Sequence, residues 1–145
     1  LKDKLSLQNK KNEESVMVHL RRGDYIGLNE ELKLEYYSTA IKKLEKKLGS
    51  REITIFTDDH SLKLEDFNNF NVTKLFNDKN EDVLETFKIM TQFKNFIISN
   101  STFSFLAAFI GQEKSSTIYY PFPWMRNSNV QIKNIPKKWI QLTNY

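Results

Sequence analysis

His19, Arg21, Arg22, Gly23 and Asp24 stand together in the run HLRRGDY, which closes an apolar alternation, SVMVHL. Two further polar clusters follow apolar runs. IFT ends in Asp58 and Asp59, and NFIIS leads into Asn100, Ser101, Thr102, Phe103 and Ser104. Guanidiniums are planar forks of donors that suit phosphate oxygens. A helix opening on Ser101, Thr102 and Ser104 offers hydroxyls, free backbone N–H groups and a positive dipole end. Carboxylates such as Asp58 or Asp59 accept from ribose hydroxyls or base nitrogens. Together these groups suit a nucleoside diphosphate. Neither G-x-G-x-x-G nor G-K-[ST] occurs, so the two glycine-rich phosphate loops lack support.

Each cluster also has a plainer reading. The arginines could be surface ion-pair residues, and His19 a satisfied core histidine. TDD and STFS could be no more than helix caps with acidic or hydroxyl first turns. The tripeptide Arg22-Gly23-Asp24 invites an adhesion reading, but it adjoins a predicted strand. What favours the chemical reading is convergence, which depends on the elements that carry the clusters.

Those elements alternate. SVMVHL, EITIFT, NVTKLF, NFIIS and STIYYPF read as strands. LKLEYYSTAIKKLEKKLG reads as a helix with Tyr37, Ile41, Leu44 and Leu48 on one stripe and Gly49 as its stop. NEDVLETFKIMTQF reads as a second helix, with Val83, Phe87 and Met90 on one side. STFSFLAAFIG reads as a third, its Phe103, Phe105, Phe109, Ala107 and Ala108 in packing. The tail NIPKKWIQL adds a short terminal element. Strand–helix alternation with short apolar strands predicts an α/β fold, a single Rossmann-like domain with a parallel sheet of about five strands covered by helices. In such sheets ligands lie beyond the carboxyl ends of the strands. All three clusters are predicted on that rim.

Composition sets outer bounds. The chain has 145 residues, 39% hydrophobic and 28% charged, ordinary for a globular domain with a real core. It has no cysteine, which excludes disulfides, thiolate metal sites and cysteine nucleophiles. No run is long and apolar enough to span a membrane, and the polar start does not read as a signal peptide. The net charge of +4 is modest, and the lysines are mixed with glutamate and apolar residues. That is a solvated face rather than a nucleic-acid patch.

HLRRGDY resembles the H-x-R-R-G-D-Y motif of the α-1,2-fucosyltransferases of glycosyltransferase family 11. IFTDD resembles the family's F-S-D-D, and FIISNSTFSFLAAFIG resembles its N-S-T-F-S-W-W-A-A-W-L stretch. The three occur in the family's order, and Pro121 and Trp139 fall near a proline and a tryptophan common in it. The resemblance runs from about Val16 to the end of the sequence. Phe105-Leu106 replaces the tryptophan pair. Asn95 stands where many members carry histidine, and Thr86 where many carry an aspartate near the base. Glu85 or Asp82 is the expected substitute.

The resemblance implies residue roles. Arg21 would hold the β-phosphate of GDP-fucose, with Arg22 assisting or packing. His19 would orient the arginine or the sugar-phosphate. Gly23 permits a tight turn, and Asp24 braces the arginines. The catalytic set is therefore Arg21, His19 and Asp24. Donor binding falls to Arg21, Arg22, Gly23, Asp58, Asp59, Asn100, Ser101, Thr102, Phe103 and Ser104.

The implied function is the donor-binding, C-terminal half of a GT-B enzyme. That enzyme moves L-fucose from GDP-β-L-fucose to the 2-hydroxyl of a galactose-terminated glycan, with inversion. Residues 1–14 then read as a linker or interdomain remnant, and 15–145 as the donor-nucleotide domain. The family's glycine-rich first domain has no counterpart here, so the chain alone is expected to be inactive. No D-x-D string is present, and metal-independent chemistry is expected, with no metal site or other cofactor. The implied setting is O-antigen assembly in the bacterial cytoplasm, or peripherally at the inner face of the membrane. No nucleic-acid partner is implied. The rival reading is a nucleotide- or glycan-binding module without turnover.

Overall fold

The computed structural model describes residues 12–144, with the side chains of 12–14 excepted. Six strands form one parallel sheet: β1 (Asn12–Leu20), β2 (Glu52–Thr57), β3 (Val72–Phe76), β4 (Phe93–Ile97), β5 (Ile118–Phe122) and β6 (Ile140–Thr143). Their order across the sheet is β3-β2-β1-β4-β5-β6. This is the Rossmann-like order, and the chain reverses direction of travel between β1 and β4. The helices are α1 (Gly23–Gly27), α2 (Leu34–Leu48), α3 (Val83–Met90) and α4 (Thr102–Gly111).

The alternation along β1 decides what each face buries. Val16, Val18 and Leu20 join Ile53, Ile55 and Ile97 against Tyr36, Tyr37, Ala40, Ile41 and Leu44 of α2. Met17 points the other way, with Phe56, Phe96, Met90, Ala107 and Ala108, into a layer shared with α3 and α4. By the two-residue period, His19 belongs to this second face. Its register partner on β2 is Phe56. Burying a large apolar side chain contributes about 1.5–3 kcal/mol, so a one-residue slip of β1 would forfeit both layers and the placement of His19.

Local signals set the helix ends. Gly49, at φ 82°, closes α2 in a conformation that favours glycine. The Asp82 side chain accepts from the Glu85 amide and starts α3. That places Asn80 and Glu81 in the preceding loop, so α3 is shorter at both ends than its sequence pattern, and β4 begins at Phe93. Gly111 is required by packing, because a β-carbon there would stand 2.5 Å from the Thr91 carbonyl oxygen.

The structure differs from the sequence reading elsewhere. The tail supplies a sixth strand, with Ile140 in register with Tyr119 of β5. β1 begins at Asn12, inside the stretch read as a linker, while residues 1–11 lie outside those described. Val83 is 69% exposed and Phe109 48%, so neither is a core residue.

Candidate active site

β1 delivers His19 and then turns sharply. Residues Gly23–Gly27 form a single helical turn whose N-terminus carries no cap of its own. The missing acceptor comes from β2: one Asp58 oxygen takes the Arg22 amide at 2.7 Å and the Gly23 amide at 3.1 Å. A β-carbon on residue 23 would collide with that carboxylate, which is why glycine stands there.

Asp58 and Asp24 also hold Arg21. Arg21 Nη2 donates to Asp24 Oδ1 at 2.8 Å, and Nε pairs with Asp58 Oδ2 at 3.3 Å. The guanidinium carbon lies 5.0 Å from the Tyr25 ring centre, and the Tyr25 hydroxyl donates to the Asn100 carbonyl. Arg21 is thus oriented from three sides yet remains about one-third exposed, at 34%. Arg22 turns away to Asp59, Nε to Oδ2 at 3.1 Å. The Ser61 hydroxyl, with help from its amide and from Arg22, holds the Asp59 carboxyl below the usual range despite partial burial. Asp58 and Asp59 are therefore braces for the two arginines and the α1 turn, rather than free acceptors for ribose or base. The RGD tripeptide is folded into the same network.

Beside Arg21 opens a cavity of about 320 Å³. Of the residues singled out in the sequence, His19, Arg21, Asp58 and Phe103 line it. Phe56, Phe76, Val83 and Met90 give it apolar walls, and His60, Asp78, Lys79, Glu81 and Thr86 give it a polar margin. Val83 is exposed because it faces this opening. Thr86 Oγ1 donates to Glu81 Oε2 at 3.1 Å, and the Asp78 amide reaches Glu81 Oε1 at 3.3 Å. Glu81 lines the cavity together with Asp58 and Asp78, each of its oxygens taking one of these two bonds. Neither Glu85, which pairs with Lys88, nor Asp82, which caps α3, lines it.

The SNSTFS cluster divides. Ser101 caps α4, accepting from the Phe103 amide, and Thr102 is exposed beside it. Ser104 is fully buried and bonds inward to the Ser101 carbonyl and to Ser99, because its place one turn into α4 turns it towards the sheet. Asn100 is also fully buried and donates to the Glu30 carbonyl. Only Phe103 of this run lines the cavity. Asn95 accepts from the Thr117 amide and ties β4 to the start of β5.

His19 Nδ1 lies 2.8 Å from Ser99 Oγ. Burial, with Arg21 assisting and Asp58 opposing, pulls its pKa from 6.5 down to about 4, so the ring is neutral at pH 7. Sequence reading missed Ser99, Glu81, Asp78 and His60. Only the position of Thr86 hinted at an acid nearby.

A braced arginine thus stands beside a mixed apolar–acidic cavity beyond the carboxyl ends of β1, β2 and β3. The family model described as Glycosyl transferase family 11 matches residues 2–143. The chain belongs to glycosyltransferase family 11. It is 28% identical to an alpha-1,2-colitosyltransferase of Escherichia coli, over 88% of this chain and 47% of that protein. It is 30% identical to the O-antigen biosynthesis glycosyltransferase WbnK of Escherichia coli, over 90% of this chain and 45% of that one. This family 11 chain therefore spans about half the length of these relatives. No solved structure matches it. Among the described residues no helix is long and apolar enough to cross a membrane, and no group of three or more His, Cys, Asp or Glu side chains is arranged to hold a metal ion.

Proposed function

We propose that this chain binds the GDP portion of GDP-β-L-fucose, as the donor-binding part of an inverting fucosyltransferase acting on the 2-hydroxyl of a galactoside. The observation that carries this is Arg21, held by Asp24 and Asp58 at the mouth of the cavity beyond the carboxyl ends of β1, β2 and β3. A pre-oriented guanidinium stabilises charge that develops on a departing diphosphate without reorganising during the step. Base reading falls to the Glu81 carboxylate, which would exchange or share its bonds from Thr86 and the Asp78 amide on binding. Guanine presents N1–H and N2–H side by side, and a carboxylate accepts two parallel donors. Adenine and uracil offer no such pair. Phosphate stabilisation by arginine makes the proposed transfer metal-independent.

Two guanidiniums face three carboxylates here, Asp24, Asp58 and Asp59. The network orients more than it attracts, so GDP binding by the chain alone should be weak. We place the acceptor site and the general base in the length of the relatives that this chain does not cover. The setting is O-antigen assembly in the cytoplasm or at the membrane's inner face. The relative named for colitosyl transfer makes a colitosyl donor the alternative sugar. The carboxylate-rich setting of the two arginines leaves a second reading, a nucleotide-binding module without turnover.

The test is purified chain with GDP-fucose and a galactose-terminated acceptor, read by mass spectrometry, beside calorimetric titration with GDP. The expected result is weak GDP binding without fucosyl transfer. Holding two reactants together supplies roughly 7–11 kcal/mol of the barrier, which this half cannot do alone. Adding the uncovered half from a relative should restore transfer; failure to restore it favours the binding module. Absence of GDP binding contradicts both.

A further inference from the structure

His19, Ser99 and Ser104 form a buried chain whose direction can be worked out. Ser104 Oγ lies 3.2 Å from the Ser101 carbonyl oxygen, 3.3 Å from Ser99 Oγ, and Ser99 Oγ lies 2.8 Å from His19 Nδ1. A carbonyl has no proton to give, so Ser104 must donate to Ser101. That carbonyl also accepts the Phe105 amide at 3.0 Å, and its two lone pairs accommodate both. With its one proton placed, Ser104 can only accept from Ser99. Ser99 in turn can only accept from Nδ1.

The reverse direction would run from Ser104 to Ser99 to Nδ1. It leaves the Ser104 and Ser101 oxygens facing each other without a proton between them. Ser99 and Ser104 are 0% exposed and His19 6%, so solvent does not repair that loss. Only the first direction makes all three bonds.

We infer that this hydroxyl relay from α4 holds His19 as the Nδ1–H tautomer, leaving Nε2 as a lone pair towards the cavity, where it accepts from an O–H or N–H of the ligand and not from a phosphate. The tautomer stands on the geometry alone. The ligand half rests on the reading that a nucleotide sugar occupies the cavity. Neutrality of the ring is part of the device, since an imidazolium would present a second donor. Work is thereby divided: Arg21 takes phosphate, and His19 takes a hydroxyl or ring N–H. Ser99 and Ser104 are positioning residues acting through His19.

The test is long-range proton–nitrogen NMR of the chain labelled at histidine, with His19→Asn to assign the two histidine signals. At pH 7 the proton is expected on Nδ1, and finding it on Nε2 would overturn the relay. Ser104→Ala should let Ser99 donate to the ring and populate the Nε2–H form. An unchanged tautomer in the folded variant would show that the relay does not set it. GDP-fucose should shift the Nε2 signal while pyrophosphate leaves it in place. An equal shift with pyrophosphate would overturn the ligand half. No binding of either would sink the donor reading and the ligand half together, with the tautomer still decided by the free protein.

Discussion

The Asp58 carboxylate occupies the space that a β-carbon on Gly23 would need, and its Oδ1 accepts the Gly23 amide at 3.1 Å. The α1 turn, Arg21 and the cavity wall all depend on that fit. Gly23→Ala should push Asp58 aside and release both amides and Arg21. Bonds to a charged acceptor are worth about 1.5–3 kcal/mol, and partial exposure reduces this to about 1–2 kcal/mol here. Urea unfolding of the variant measures it, with loss of GDP affinity alongside. A variant as stable as the parent would show that the carboxylate relocates freely.

Arg21→Ala should affect binding more than folding, since the side chain is one-third exposed. A charge-assisted phosphate bond is worth about 1.5–3 kcal/mol, so GDP affinity should fall roughly ten- to a hundredfold in calorimetry. A folded variant with parental affinity would remove Arg21 from the site.

Glu81→Gln should narrow the preference for GDP over IDP, which lacks the 2-amino group, and leave pyrophosphate binding unchanged. The expected loss for GDP is about tenfold or more, the value of one charge-assisted bond. A parental preference in the variant would assign guanine reading elsewhere.

His19 predicts a pH dependence of stability. Its folded pKa, about 4, lies below the unfolded value of 6.5. Between those values the unfolded chain takes up a proton that the folded chain refuses. Stability is therefore full above pH 6.5 and falls as pH drops towards 4, by about 3 kcal/mol in all. Asp59, held low, adds a loss only at more acid pH, as its carboxylate is protonated in the folded state. Urea midpoints at pH 7, 6 and 5 should fall in the parent and flatten in His19→Gln. Equal slopes in both would contradict a buried neutral ring.

Much of this was legible in the sequence. The alternation of SVMVHL fixed a strand with Val16 and Val18 on one face, and the three motifs marked its rim. β6 was less so, because its four residues follow a proline- and lysine-rich stretch with no helix between it and β5. Burial patterns also hid Ser104: a hydroxyl near a helix start reads as solvent-facing, but the turn of α4 carries it inward. Asp58 caps a turn at a separation of 35 residues, which only the parallel pairing of β1 and β2 brings about. Glu81 lies in the polar run NDKNED, where nothing local separates it from its solvated neighbours.

The most direct test of the donor site is a GDP titration followed residue by residue in amide NMR spectra. The structure offers a clear rival location. A larger groove, about 560 Å³, lies between α2 and β6 and carries Lys33 and Lys43. GDP is expected to shift the amides of His19, Arg21, Glu81, Thr86 and Phe103 and to leave Lys33, Lys43 and Gln141–Asn144 unmoved. Shifts confined to the α2–β6 groove, or no shifts at millimolar GDP, would contradict this placement.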